Sequence, residues 1–143
     1  MPLPIVQADT EELRARAFAL RHAVFVVEQR VPESLEHDEH DADAYIVVAL
    51  DHDRCIATGR LVRQPGGVGR IGRMAVDARW RRRGLGELVM QALESRARLD
   101  GLREIELHAQ CYVEAFYARR GYARVGDVFV EAGIDHVAMR KRL

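Results

Sequence analysis

The chain has 143 residues, 48% of them apolar, and its 22 basic and 22 acidic side chains give a formal charge of zero. A chain of this length can bury roughly two-thirds of its unfolded surface in one core, so we expect a single domain over residues 1–143. The charge balance argues against a nucleic-acid partner, which usually selects a broad basic excess. Cys55 and Cys111 match no metal-binding or redox spacing.

The start of the chain and its hydropathy favour a cytoplasmic protein. Acidic residues, Asp9, Glu11 and Glu12, lie where a signal peptide would be basic and then apolar. The apolar run 44–50 is far shorter than the ~20 residues that a membrane helix needs. We therefore expect neither export nor contact with a membrane.

The first predicted elements are a short strand at 4–8 and an amphipathic helix that follows it. Asp9 and Glu12 have the spacing of a capping box at a helix start. The β-branched run 24–27 is expected to end the regular helix, and a polar, acidic connection continues to Asp43. The apolar residues of this helix recur at helical spacing: Leu13, Ala17, Leu20 and Val24.

Strands dominate the rest of the chain. Apolar runs at 44–50, 54–63 and 70–76, joined by tight polar turns, predict three consecutive antiparallel strands. The order of elements predicts an α/β (α+β) fold with a mixed, largely antiparallel central sheet and helices on both of its faces. The later elements are a helix at 82–99 with Leu85, Leu88, Val89, Ala92 and Leu93 on one face, a strand at 102–109, a helix at 112–119, and strands at 122–130 and 134–140.

The strongest chemical signal is the run Arg-Arg-Arg-Gly-Leu-Gly at 81–86, between a strand and the first turn of an amphipathic helix. Free N–H groups and the helix dipole make such a start an anion site, and glycines let a pyrophosphate approach the main chain. Arginine side chains add charge-assisted contacts. A solvated basic helix start with turn-forming glycines is the alternative interpretation.

A second glycine pattern, G-x-G-x-x-G at 67–72, is the sequence of a dinucleotide-binding turn. That turn should follow a strand and open a helix, whereas this one follows a Pro-Gly-Gly turn and enters a strand. The chain also has no G-x-x-x-x-G-K-[ST] sequence, so neither a dinucleotide site nor a P-loop is predicted.

Two motifs resemble the GNAT superfamily of N-acetyltransferases, over essentially the whole chain. Met-Ala-Val at 74–76 followed by R-x-x-G-x-G at 81–86 resembles the strand and pyrophosphate loop that bind acetyl-coenzyme A in that family. Residues 115–122 resemble its F-Y-x-x-x-G-[FY] segment. Within the superfamily, residues 21–29, 36–41 and 133–136 resemble the ElaA-like branch, and the first two of these segments also resemble acyl-homoserine-lactone synthases.

The resemblance implies an N-acetyltransferase that moves an acetyl group from acetyl-coenzyme A to a primary amine by direct attack on the thioester. It implies that a main-chain N–H at 74–76 polarises the thioester carbonyl and that Tyr117 protonates the departing thiolate. Gln110 stands where many relatives have a cofactor-binding asparagine. The implied cofactor contacts are Met74, Ala75, Val76, Arg81, Arg82, Arg83, Gly84, Leu85, Gly86 and Gln110.

The acceptor also needs a base, since an amine of pKa about 10.4 is neutral only about once in two thousand molecules at pH 7. Glu28, just beyond the first helix, is placed slightly ahead of His108 on the strand that faces the site; His40 and Asp41 are further candidates. An exposed helix-end carboxylate and an ordinary half-buried histidine are the structural alternatives. Similarly, Tyr117 could be a core aromatic residue.

The acceptor is predicted to be cationic, either a small molecule or a peptide amine, because six acidic residues lie between Glu33 and Asp43. His37 to Asp41 are metal-ligand types, but aminolysis of a thioester needs no metal and we expect none. Two other functions stay open: a non-catalytic module that binds acyl-coenzyme A, and an acyl-homoserine-lactone-type synthase. The resemblance also allows a homodimer.

Overall fold

The computed structural model describes residues 4–143; residues 1–3, which the predicted domain and the argument against a signal peptide include, lie outside the described part. The strands are β1 (Ile5–Gln7), β2 (Tyr45–Asp51), β3 (Arg54–Gln64), β4 (Val68–Val76), β5 (Glu104–Gln110), β6 (Ala123–Glu131) and β7 (Ile134–Arg142). The α-helices are α1 (Glu11–Arg21), α2 (Glu33–Glu36), α3 (Leu85–Leu99) and α4 (Glu114–Arg119). A π-helix at His22–Glu28 and 3₁₀ turns at Glu39–Ala42, Ala78–Trp80 and Cys111–Val113 complete the helical segments.

The strands form one sheet in the order β1-β2-β3-β4-β5-β7-β6. Over residues 4–143, all neighbouring strands run antiparallel except β4 and β5, which are parallel and are connected through α3. The predicted mixed, largely antiparallel sheet is therefore confirmed, including the three consecutive antiparallel strands β2, β3 and β4.

Helices cover both faces of the sheet, as predicted. In β2 the side chains alternate, so that Ile46 and Val48 pack with Ala17 and Leu20 of α1, while Val47 and Ala49 face the other way. Those two residues belong to the larger core under α3, which also contains the buried residues Ile56, Leu61, Ile71, Val89, Met90, Leu93, Ile105, Leu107, Val137 and Met139.

The first helix begins and ends differently from the sequence prediction. Thr10, not Asp9, caps it: the Thr10 hydroxyl accepts a hydrogen bond from the N–H of Leu13 at 3.1 Å. The regular helix does end before the β-branched run, but the chain continues as a π-helix, in which the N–H of Gln29 donates to the carbonyl of Val24 at 3.0 Å. This wider turn accommodates the crowded β-branched side chains and places the following residues over the sheet.

The predicted apolar face of α3 is correct except at one position. Leu85, Val89 and Leu93 are buried, whereas the side chain of Leu88 is 36% exposed and Met90 fills the core. Because α3 packs against a twisted sheet, its buried stripe is set by contacts with β3 and β4 and excludes Leu88.

The segment between the π-helix and β2 is held to the sheet by a buried ion network. Arg21 is only 1% exposed and donates to Glu36 at 2.6 Å and to Asp41 at 2.7 Å. On the sheet side, Arg60 donates to Asp38 at 2.7 Å and to Asp41 at 2.9 Å. Three further contacts come from Arg73, to the backbone carbonyls of Leu35 and Glu36 and to Asp38.

This network changes the interpretation of the acidic segment. Three of its six carboxylates, Glu36, Asp38 and Asp41, are paired with arginines, so the six acidic residues do not act as one free acidic field. Hydrogen bonds from Arg60 lower the pKa of Asp38 to about 2. Burial opposes ionisation of Asp41, but hydrogen bonds from Arg21 and Arg60 outweigh it and lower its pKa.

Replacing Asp41 with asparagine should destabilise the fold by about 3 kcal/mol or more, because it leaves Arg21 and Arg60 buried and incompletely paired. Since the folded pKa values of Asp38 and Asp41 are lowered, their stabilisation is present above about pH 4 and is lost as the pH falls toward 2. Urea unfolding at pH 7, 4 and 3 measures both effects.

Glu39→Gln is the matched control, since Glu39 is an exposed carboxylate of the same segment. Its free energy of unfolding should change by less than about 0.5 kcal/mol. An Asp41→Asn variant as stable as this control would contradict a structural role for the network.

Candidate active site

The candidate site lies where β4 and β5 separate. These two strands pair only over three residues, Val68–Arg70 with Glu104–Glu106. Beyond that point, on the described part of the chain, β4 retains β3 as its only neighbour and β5 retains only β7. Main-chain N–H and C=O groups that would have joined β4 to β5 therefore face an opening in the sheet.

A β-bulge shapes the β4 side of this opening. Thr58 of β3 pairs with Ala75, and Arg60 pairs with Gly72. Two β4 residues, Arg73 and Met74, therefore lie opposite the single β3 residue between Thr58 and Arg60. Arg73 has a φ of 53°, a conformation that is uncommon outside glycine. The side chains of Met74 and Ala75 pack into the two cores on opposite faces. The main chain of this segment therefore remains available at the opening.

The basic loop lies at the end of this opening, between β4 and α3. Gly84 is the N-cap residue of α3, has a φ of 79° and offers no side-chain cap to the first helical turn. Arg82 also has a positive φ, of 64°. The first-turn N–H groups thus have no acceptor inside the helix, which suits an anionic group. The loop fits the pyrophosphate that the sequence predicts for it.

Other residues of the loop have structural contacts. The Leu85 side chain is buried in the core under α3, so only its main chain could reach a ligand. A Cβ atom on Gly86 would lie 3.4 Å from Phe116, so this glycine sets the approach of α4 to the loop. The guanidinium of Arg83 stacks on Trp80, with 4.9 Å between its Cζ and the ring centroid.

Arg81 turns back from the loop toward the π-helix. Its Nη1 and Nη2 atoms donate to the two carboxylate oxygens of Glu28, each at 2.7 Å, and its Nε donates to the carbonyl of Val76 at 3.0 Å. This pairing lowers the pKa of Glu28, chiefly through the hydrogen bonds. A carboxylate held in this way is a weaker base, which weakens the case for Glu28 as the proton acceptor.

Gln110, predicted to contact the cofactor, lies at the end of β5 and pairs with Gln29. Gln110 Nε2 donates to Gln29 Oε1 at 2.9 Å, and Gln29 Nε2 also lies 3.3 Å from the hydroxyl of Tyr112. Together, Glu28 and Gln29 join the end of the π-helix to both sides of the opening. Sequence analysis did not single out Gln29 as a site residue, although Gln29 lies in the segment 21–29 that resembles the ElaA-like branch.

Tyr117 of α4 is 8% exposed, and its ring packs edge-to-face with Phe116 and Tyr122. Burial, with a smaller contribution from Tyr112, raises its pKa to about 12. Its hydroxyl forms no hydrogen bond to residues 4–143, whereas the hydroxyl of Tyr122 donates to Glu94 at 2.7 Å. Tyr117 is therefore both a core aromatic residue and the bearer of a free, protonated hydroxyl.

His108 lies on β5, two residues beyond its last pair with β4, on the face opposite the core under α3. Its Nδ1 atom is 2.7 Å from Nη2 of Arg70 and 3.1 Å from Oε1 of Glu131. This polar cluster also includes His136, which stacks on Phe129. The fold thus brings His108 together with Arg70 and Glu131, which sequence analysis did not single out.

Neither a metal-ligand cluster nor a membrane-spanning helix is found within residues 4–143. The histidines, cysteines and carboxylates there form no group of three or more arranged to hold a metal ion. None of the helices described is long and apolar enough to cross a membrane.

The fold and the site together define a GNAT-type acyltransferase. The family model for the acetyltransferase (GNAT) domain matches residues 7–143. The chain therefore belongs to the GNAT family, as the two sequence motifs predicted.

Particular relatives agree with this assignment. The uncharacterised N-acetyltransferase YjcF of Bacillus subtilis is 36% identical over 137 residues, which cover 95% of this chain and 97% of YjcF. A crystal structure of an acyl-CoA N-acyltransferase from Pseudomonas aeruginosa is 32% identical, with a TM-score of 0.87 and coverage of 98% of this chain and 99% of that chain. ElaA of Escherichia coli is 29% identical, over 87% of this chain and 84% of ElaA, and its crystal structure gives a TM-score of 0.88. The predicted enzyme class and the resemblance to ElaA are confirmed.

Gly84→Ala should weaken binding of coenzyme A about fivefold or more. A left-handed conformation costs a non-glycine residue roughly 1–2 kcal/mol, so the loop should relax and move its N–H groups. Isothermal titration calorimetry with coenzyme A measures the change.

Gly101→Ala is the matched control: Gly101 has a φ of 78°, lies beyond the other end of α3, and, like Gly84, has open space where a Cβ atom would lie. Both variants should lose similar stability, but Gly101→Ala should retain wild-type affinity. Equal loss of affinity in the two would mean that the loop has no special role.

Proposed function

We propose that this chain transfers an acetyl group from acetyl-coenzyme A to a primary amine by direct attack of the amine on the thioester. The observation that carries the proposal is the opening between β4 and β5, with an uncapped helix start at one end. The helix α4, which carries Tyr117, approaches the loop at that end through the contact of Phe116 with Gly86. One domain over residues 1–143 would then contain the whole reaction.

The chain's own groups would divide the work as follows. The loop at 81–86 would hold the pyrophosphate through main-chain N–H groups and arginine side chains. An unpaired N–H beside the bulge, at 74–76, would stabilise negative charge on the carbonyl oxygen as the amine nitrogen attacks the carbonyl carbon. The carbon–sulfur bond then breaks, and the sulfur leaves as a thiolate.

Tyr117 would stabilise that thiolate mainly as a hydrogen-bond donor. With its pKa raised to about 12, complete proton transfer to a thiolate whose acid has a pKa of about 8.5 is uphill by about 5 kcal/mol. A hydrogen bond that strengthens as charge develops on sulfur still lowers the barrier. The proton released by the amine can reach the thiolate through water.

The proton acceptor for the amine would be His108 or Glu28. His108 has hydrogen-bonding neighbours that can orient its ring, namely Arg70 and Glu131, whereas Glu28 is paired with Arg81. As long as the pair with Arg81 holds, this difference favours His108, whereas the sequence analysis placed Glu28 slightly ahead. A neutral histidine is also closer than a carboxylate to the basicity that proton removal from an amine requires.

We also propose a cationic acceptor, now on the basis of three of the six acidic residues. Glu33, Glu39 and Asp43 have no arginine partner among the residues described. Their field would attract ammonium groups and repel carboxylates. Such attraction is screened over about 8 Å at physiological ionic strength.

The deciding experiment follows release of free coenzyme A from acetyl-coenzyme A with spermidine, a lysine-ended peptide, an aliphatic monoamine and glutamate. We expect turnover with the cationic amines, and kcat/KM that falls as salt rises while kcat changes less. Absence of turnover with every amine, despite binding of coenzyme A, would favour a non-catalytic binding module.

The matched variants for this test are Glu33→Gln, Glu39→Gln and Asp43→Asn combined. At low ionic strength they should reproduce the fall in kcat/KM that salt causes, without loss of stability, since the three carboxylates paired with arginines, Glu36, Asp38 and Asp41, stay intact. A preference for glutamate would contradict a cationic acceptor.

Tyr117→Phe should lower kcat at least tenfold and leave the affinity for coenzyme A nearly unchanged, because the hydroxyl acts mainly in the transition state. Steady-state kinetics and calorimetry separate the two effects. Since the Tyr117 pKa is raised to about 12, this hydroxyl should cause no loss of activity up to about pH 10.

Tyr122→Phe is the control, because the hydroxyl of Tyr122 is bound to buried Glu94 and not to the opening. It should lower stability and leave kcat within about twofold of wild type. Full turnover in Tyr117→Phe would contradict the role proposed for Tyr117.

A further inference from the structure

We propose that Arg81 couples the two substrate sites by exchanging Glu28 for the pyrophosphate of coenzyme A, so that Glu28 becomes available to the acceptor amine only after coenzyme A binds. This inference rests on the proposed function and specifies the order in which the same site is filled. It assigns Arg81 as a positioning residue.

The hydrogen bonds of Arg81 make its two sets of contacts mutually exclusive. A guanidinium presents two edges that carry a pair of N–H donors, the Nη1–Nη2 edge and the Nε–Nη2 edge. Glu28 occupies the first edge through both oxygens, and the carbonyl of Val76 takes Nε of the second. Neither edge remains free to hold a phosphate with two hydrogen bonds.

The exchange is energetically accessible. In the pair, the side chain of Arg81 is 39% exposed and that of Glu28 44% exposed, and ion pairs in such positions are weak. The pyrophosphate of coenzyme A carries two negative charges, against one on a carboxylate, and its oxygens suit the same forked donor geometry. A pyrophosphate bound in the loop should therefore replace Glu28 as the hydrogen-bond partner of Arg81.

The position of Glu28 would allow its carboxylate, once separated from Arg81, to contact the acceptor amine. Glu28 ends the π-helix, next to Gln29, which pairs with Gln110 on β5. When Arg81 leaves, this second contact still holds the end of the π-helix over the opening. The freed carboxylate then lies between the loop and the acceptor side, where it can bind an ammonium group.

A double-mutant cycle with coenzyme A alone tests the exchange, using Glu28→Gln, Arg81→Gln and the double variant in calorimetry. Glu28→Gln should bind coenzyme A about two- to fivefold more tightly, the factor that corresponds to losing an exposed competing ion pair. Arg81→Gln should bind at least threefold more weakly. The gain from Glu28→Gln should be absent when Arg81 is already replaced.

Glu114→Gln is the matched control, because Glu114 forms the same two-bond pair with Arg124, on the surface and outside the loop. It should bind coenzyme A as the wild type does. Circular dichroism checks that each variant is folded.

The possible outcomes are distinct. A gain from Glu28→Gln that persists in the Arg81→Gln background would show a general effect of negative charge on an anionic ligand and would overturn the exchange. Unchanged or weaker binding in Glu28→Gln would also overturn it, since Arg81 would then hold both partners. Failure of the wild type to bind coenzyme A would refute the proposed function itself.

Discussion

The separation of β4 from β5 is the constraint on which the rest of the structure depends. Only three residue pairs join these parallel strands, so each half of the sheet must be stabilised by its other neighbours and by the helices. The antiparallel strands β2 and β3 support one half, and β6 and β7 support the other. The core under α3 spans both halves. The sheet can therefore expose main-chain groups in its middle without losing cohesion.

The ion network around Arg21 serves a different purpose from that of the cores. It contains three arginines and three carboxylates, so its formal charge is zero, and much of it is removed from water. Buried ion pairs often stabilise no more than apolar residues of the same volume, but they require one arrangement of their partners. Here they fix the path of the acidic segment across one face of the sheet, beside the opening.

Much of the fold could be predicted because its strands and helices have regular apolar periods. The glycine turn at 81–86 could be placed at the start of α3 because it lies between a strand pattern and a helix pattern. Contacts between distant residues could not be predicted. Nothing local distinguishes Arg21 from a surface arginine; its burial depends on Asp41 and on Arg60, far along the chain. The pair of Gln29 and Gln110 joins residues 81 positions apart. The bulge at Arg73 has no sequence signature, since a positive φ is unusual for arginine.

The π-helix has a consequence for how this chain can vary in length. Each residue in an α-helix advances the helical phase by about 100°, and a π-helical turn holds one residue more than an α-helical one. The seven residues of His22–Glu28 therefore turn through about the same angle as six residues of an α-helix. Deleting one of them would leave the direction of Glu28 and Gln29 nearly unchanged. Substitutions that return the segment to α-helical geometry at its present length would instead rotate both residues by about 100°, away from Arg81 and Gln110. This stretch should therefore tolerate the loss of one residue better than the loss of its wide turn.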